Sequence, residues 1–180
     1  MRGMGPIGAL AMLAVSAFPS TAQESSNRVA AQTDWSVFVE PATGTPTECW
    51  GVSAPKETVN MKDGQPAQVR RGDILLFVTF KPGAQPEVSF TGGYPFAEGS
   101  TVGLDISGTK FELAVGTEDA EREWAWPANP EDDAKIIAAL KSGSSAVLTG
   151  RSGRGTETTD TFSLMGVSAA LDEAAKRCGG

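Results

Sequence analysis

The chain has 180 residues with 15 basic and 22 acidic side chains, no histidine, and a net charge of −7. An acidic chain without a clustered Lys/Arg face repels nucleic acid, which speaks against that class of partner. The lack of histidine excludes Ser-His-Asp and Cys-His catalysis, together with the histidine-bearing metal sites of many hydrolases and oxygenases.

Arg2, an apolar or small run from Ile7 to Phe18, and then Ser20, Thr21 and Ala22 read as a secretory signal peptide over residues 1–22, cleaved near Ala22. The run is shorter than the roughly 20 residues a membrane span needs, and no second long apolar stretch follows. The mature chain is therefore expected to be periplasmic or secreted, with no transmembrane segment. Cleavage leaves 158 residues, the length of one domain, and loss of Arg2 leaves 14 basic against 22 acidic residues, a net charge of −8. Residues 23–33, QESSNRVAAQT, are polar and small and read as a flexible leader, with a single domain over 34–180.

From Trp35 onward, short runs rich in β-branched and aromatic residues alternate with Gly, Pro and Asn, which predicts a mainly β fold, a β-sandwich-like or partly closed barrel. Strands are expected near 35–39, 48–53, 67–70, 73–80, 86–90, 100–106 and 109–115. The unbroken apolar run Leu75-Leu76-Phe77-Val78 marks a strand that is either covered on both faces or central to the sheet. Ser107-Gly108 reads as a tight hairpin turn. Residues 144–150 and 156–163 form a second hairpin around Arg151 to Gly155, read as a flexible tip.

Two short helices interrupt the strands. Asn129, Pro130 and the carboxylates Glu131, Asp132 and Asp133 predict a helix over about 130–142, with an amide cap, proline in the first turn and negative charge against the dipole. A second helix is expected over about 168–177, with Ala169, Ala170, Leu171 and Ala174 or Ala175 facing inward and Lys176 and Arg177 near its negative end.

The mature chain has two cysteines, Cys49 and Cys178. In an oxidising compartment such a pair is more often bridged than free, so a Cys49–Cys178 disulfide is expected, the alternative being two separate buried thiols. No phosphate-binding glycine motif and no CxxC spacing is present, and no cofactor or metal is expected. Glu118, Asp119, Glu121 and Glu123 precede Trp124 and Trp126. Carboxylates beside aromatic rings suit a glycoside hydrolase or a carbohydrate-binding module using Glu121, Glu123, Trp124 and Trp126. The plainer reading is a charged loop feeding a strand whose two same-face tryptophans fill the core. Calcium is a weaker reading of the cluster, whose spacing is not that of a calcium loop. Arg71-Gly72-Asp73 spells an adhesion tripeptide but leads straight into the most apolar strand. Tyr94-Pro95-Phe96, between glycines, is an exposed-looking aromatic turn. Tyr94, Phe96, Trp124 and Trp126 are thus the weak candidates for ligand or partner contact.

Several features in fixed order resemble the invasion-associated locus B family of exported bacterial proteins. They are the signal peptide, Asp34-Trp35-Ser36-Val37, Cys49, Arg71-Gly72-Asp73 before an apolar strand, and the stretch Phe162 to Leu171. The resemblance implies a periplasmic or surface-associated, mostly β domain with no established enzymatic activity, and it supplies no catalytic residues to carry over. It implies a non-enzymatic binding or envelope-associated protein whose partner is an unknown envelope or host protein. Many relatives carry a cysteine about four residues after the first tryptophan. Here that place is Val39, which leaves Cys178 as the partner of Cys49.

Overall fold

The structure, a computed structural model, describes residues 26–179. The expected signal peptide lies outside the described residues. In chain order the elements are β1 (Arg28–Gln32), β2 (Trp35–Glu40), β3 (Glu48–Ser53), β4 (Glu57–Lys62), β5 (Gln65–Pro66), β6 (Leu75–Phe80), β7 (Glu87–Thr91), β8 (Thr101–Ile106), β9 (Thr109–Val115), β10 (Trp124–Pro127), α1 (Pro130–Ser142), β11 (Ser145–Arg151), β12 (Glu157–Ser163) and α2 (Val167–Cys178). The strands form one 12-stranded sheet in the order β1-β2-β3-β6-β7-β10-β9-β8-β11-β12-β4-β5.

That sheet folds over on itself. β7 and β12 stand five places apart in the order, about 24 Å on a flat sheet at the usual strand spacing. Yet the rings of Phe90 on β7 and Phe162 on β12 meet edge to face at 6.2 Å, and Trp35 Nε1 on β2 donates to the Ser163 carbonyl at 3.0 Å. Two layers therefore enclose a core of alternate residues, among them Val37, Leu76, Val78, Phe90, Leu104, Leu113 and Leu148. This is the expected sandwich-like arrangement, not closed into a barrel.

Period-two alternation decides which side chain goes inward. In β6, Leu76 and Val78 are fully buried, while Leu75 and Phe77 lie half-buried on the outer face. Between the two strands of the β8–β9 hairpin, Ser107 and Gly108 both take positive φ, 49° and 97°, the geometry that a two-residue hairpin turn requires.

α2 lies across β1, β2, β3 and β6, burying Val167, Ala170, Leu171, Ala174 and Cys178, one helical stripe. It sits close because β3 presents Gly51 beneath it, where a Cβ would come within 2.8 Å of Leu171 Cδ2. The Cys49–Cys178 disulfide closes this contact with a Cα–Cα separation of 5.8 Å. α1 begins at the expected proline, but the Asn129 side chain makes no capping hydrogen bond. Asp133, one of the three carboxylates expected against the helix dipole, is buried and accepts the Val88 backbone N–H of β7 at 2.6 Å.

The leader and one strand differ from expectation. Arg28–Gln32 is strand β1, hydrogen-bonded to β2, so part of the expected leader is ordered sheet. Its Val29 and Ala30 pack against the core, and that burial overrides its polar composition. No strand forms at 67–70, while Glu57–Lys62, not expected to be a strand, pairs with β12. Pro66 lies opposite Met61, and the pairing with β4 closes one residue on, where the Ala67 N–H donates to the Asn60 carbonyl at 2.9 Å.

Candidate functional site

A cleft of about 560 Å³ opens where three connections meet: the segment between β5 and β6, the loop after β7, and the β11–β12 turn. Its lining includes Arg70, Arg71, Tyr94, Pro95, Glu123, Ser152, Arg154 and Thr158. That volume falls in the range of small-molecule and side-chain pockets.

Arg71 ties its own segment to the loop after β7 and to strands β12 and β4. Its guanidinium grips Asp160 of β12 with two hydrogen bonds, Nη1 to Oδ1 at 2.8 Å and Nη2 to Oδ2 at 2.6 Å. Nε donates to the Gly92 carbonyl at 2.9 Å, and Nη1 also reaches Asn60 Oδ1 of β4 at 3.3 Å. The group lies 5.0 Å from the centre of the Tyr94 ring, within cation–π range. The two side chains are 6% and 0% exposed, so the pair is buried and its geometry is the fork-to-fork one that offsets desolvation. Burial pushes the Asp160 carboxyl above the ordinary range, and the Arg71 hydrogen bonds oppose that push. Tyr94 closes the network, sharing a 2.6 Å hydrogen bond with Thr158 Oγ1. Burial raises its phenol as well.

Glycine is required at one point of this junction. Gly93 has φ +69°, and a Cβ there would come within 2.6 Å of the Gly72 backbone, whose N–H donates to the Gly93 carbonyl at 2.8 Å. The Arg151 to Gly155 tip, expected to be flexible, is hydrogen-bonded to the loop after β7. Gly153 N–H donates to the Pro95 carbonyl at 3.0 Å, and Ala97 N–H to the Arg151 carbonyl at 2.8 Å.

The sequence candidates divide accordingly. Arg71 of the adhesion tripeptide is withdrawn into the buried ion pair and is not displayed. Of the aromatic turn, Phe96 is buried against Phe90 and Tyr94, Tyr94 is half-buried in the cleft wall, and Pro95 is exposed. Trp124 and Trp126 do not fill the core. Ala125 is the inward residue of β10, fully buried, and both tryptophans lie half-buried on the outer face. They stack on each other with ring centres 6.2 Å apart, and Trp124 meets Phe77 at 5.6 Å. Phe38 and Trp50 stack at 6.0 Å, continuing the aromatic cover on the outer side of β2 and β3. Glu118, Asp119, Glu121 and Glu123 are exposed, and no cluster of three or more metal-ligating side chains occurs among the described residues. Glu123 is the one carboxylate in the cleft lining, so the glycoside-hydrolase alternative finds no support there: that chemistry needs two facing carboxyl groups.

Sequence reasoning missed the Arg71–Asp160 pair. Arg71 and Asp160 lie 89 positions apart, and the one available signal is an aspartate in the same strand phase as Phe162 in a threonine-rich strand.

A family model described as Invasion associated locus B (IalB) protein matches residues 35–175. The chain belongs to this family. The crystal structure of invasion associated protein b from Bartonella henselae is similar with a TM-score of 0.55 at 15% identity, covering 82% of this chain and 95% of that one. At that identity the likeness establishes the IalB fold alone. No curated protein matches the sequence. Among the described residues no helix is long and apolar enough to cross a membrane.

Proposed function

We propose that this IalB-family protein is exported to the periplasm or beyond, after cleavage near Ala22, and acts there as a non-enzymatic, envelope-associated binding protein for an envelope or host protein. The Cys49–Cys178 disulfide carries the reading, because such bridges form and persist in oxidising compartments. The state of the cleft supports binding over catalysis. Arg71 is held by Asp160, Asn60 and the Gly92 carbonyl, and Tyr94 by Thr158, so these side chains fix walls and do not stand ready to move protons.

Fractionation of the native cell tests this. The expected product is a chain beginning at Gln23, found outside the cytoplasm, with no titratable thiol until reduced. An unprocessed cytoplasmic chain with two free thiols would overturn it.

A further inference from the structure

Although the protein is acidic overall, its cleft is not. Arg70 and Arg154 line it as exposed side chains with no ion-pair partner among the described residues, against the single carboxylate of Glu123. Lys62 stands beside them, its Nζ donating to the Arg154 carbonyl at 2.5 Å. Arg71, by contrast, is spent on Asp160. One wall is the segment Gln68 to Arg70, whose backbone N–H and C=O groups make no backbone hydrogen bond to the rest of the described chain. Unpaired main-chain donors and acceptors at a groove are what an incoming extended peptide uses, and planar guanidinium groups match the two oxygens of a carboxylate.

We infer that the cleft is a docking site for an extended acidic peptide segment of a partner protein, its backbone lying along Gln68–Arg70 and its Asp or Glu carboxylates held by Arg70 and Arg154. The buried network beneath pre-forms the walls, so little ordering is required when the segment arrives. Net negative charge elsewhere on the protein disfavours the same peptide at other places and concentrates it here.

The inference rests on the binding reading above, and the two fail separately: purified, oxidised protein tests the cleft wherever the cell places it. An array of random octapeptides is probed with the wild-type domain and with the R70Q/R154Q variant, whose substitutions are on exposed side chains and leave the buried network intact. Expected is enrichment of Asp and Glu among bound peptides, lost in the variant. The best peptide then goes into calorimetry beside its Asn/Gln counterpart, glucuronate and inorganic phosphate. Loss of the charge-assisted contacts should weaken the peptide at least about tenfold, both in the variant and in the amide peptide. No acidic enrichment, equal binding by the variant, or glucuronate or phosphate binding as tightly as the peptide would overturn the proposal, the last by making the cleft a small-anion site.

Discussion

The end of the sheet under α2 and the end around Arg71 both tie together parts of the chain that are far apart in sequence, by opposite chemistry. Under α2 the tie is covalent and apolar: Cys49–Cys178 backed by Val167, Ala170, Leu171 and Ala174. Around Arg71 it is ionic and fully hydrogen-bonded, linking β4, β12 and the residues after β7 without covalent help. The apolar tie adapts to loss through repacking, whereas the ionic one fails as a unit because each partner left behind is a buried, uncompensated charge. The cleft is built on the second kind, which gives it fixed walls.

Removing one ionic partner should have the largest effect. Arg71→Ala is expected to destabilise by about 3–5 kcal/mol, read from urea unfolding. Arg71→Lys should recover little of this, since an ammonium cannot reproduce the fork. A loss below about 1 kcal/mol would mean that the pair is no more than a surface-type bridge.

Cutting the covalent tie comes next. The Cys49→Ser/Cys178→Ser double variant should lose about 2–5 kcal/mol while keeping the cleft's peptide binding under native conditions. Joint loss of binding and of the α2 contact would show that the two ends are one cooperative unit and not two ties.

The outer aromatic cover of the α2 half should contribute less. A double-mutant cycle on Phe38 and Trp50, stacked across β2 and β3, is expected to give a coupling of about 0.5–1.5 kcal/mol. Zero coupling would leave the rings as mere surface cover.

The smallest effect is a pH slope from α1, which packs on β7, β10 and α2. Burial holds the Asp133 carboxyl above its ordinary value. The folded protein thus keeps this proton after the unfolded chain has released it, and stability falls as pH rises from the ordinary value to the raised one. Asp133→Asn keeps an oxygen for the Val88 N–H, so it should flatten the slope of urea midpoints between about pH 3 and 6. An unchanged slope would refute the assignment to Asp133.

Local signals were legible in the sequence where local physics decides. α1 starts at Pro130 because proline fits the first turn, and the β8–β9 turn forms at Ser107-Gly108 because glycine accepts its φ. What stayed hidden depends on partners far along the chain. Arg28–Gln32 looks like a leader until β2 and the core cover Val29 and Ala30. Trp124 and Trp126 look like core until strand parity gives the inward place to Ala125. The cleft was the least legible part, since its arginines come from two separate connections and its floor from a third.

An open sheet has two ends that could recruit neighbours. Here, among the described residues, one is β1, where the pairing register shifts between Arg28 and Ala30, and the other is β5, two residues long and ending in Pro66. A bulge twists a ladder away and a proline withholds a donor, so neither end offers a long, flat row for a second chain to extend. The protein can therefore leave its sheet unclosed without inviting strand-by-strand polymerisation.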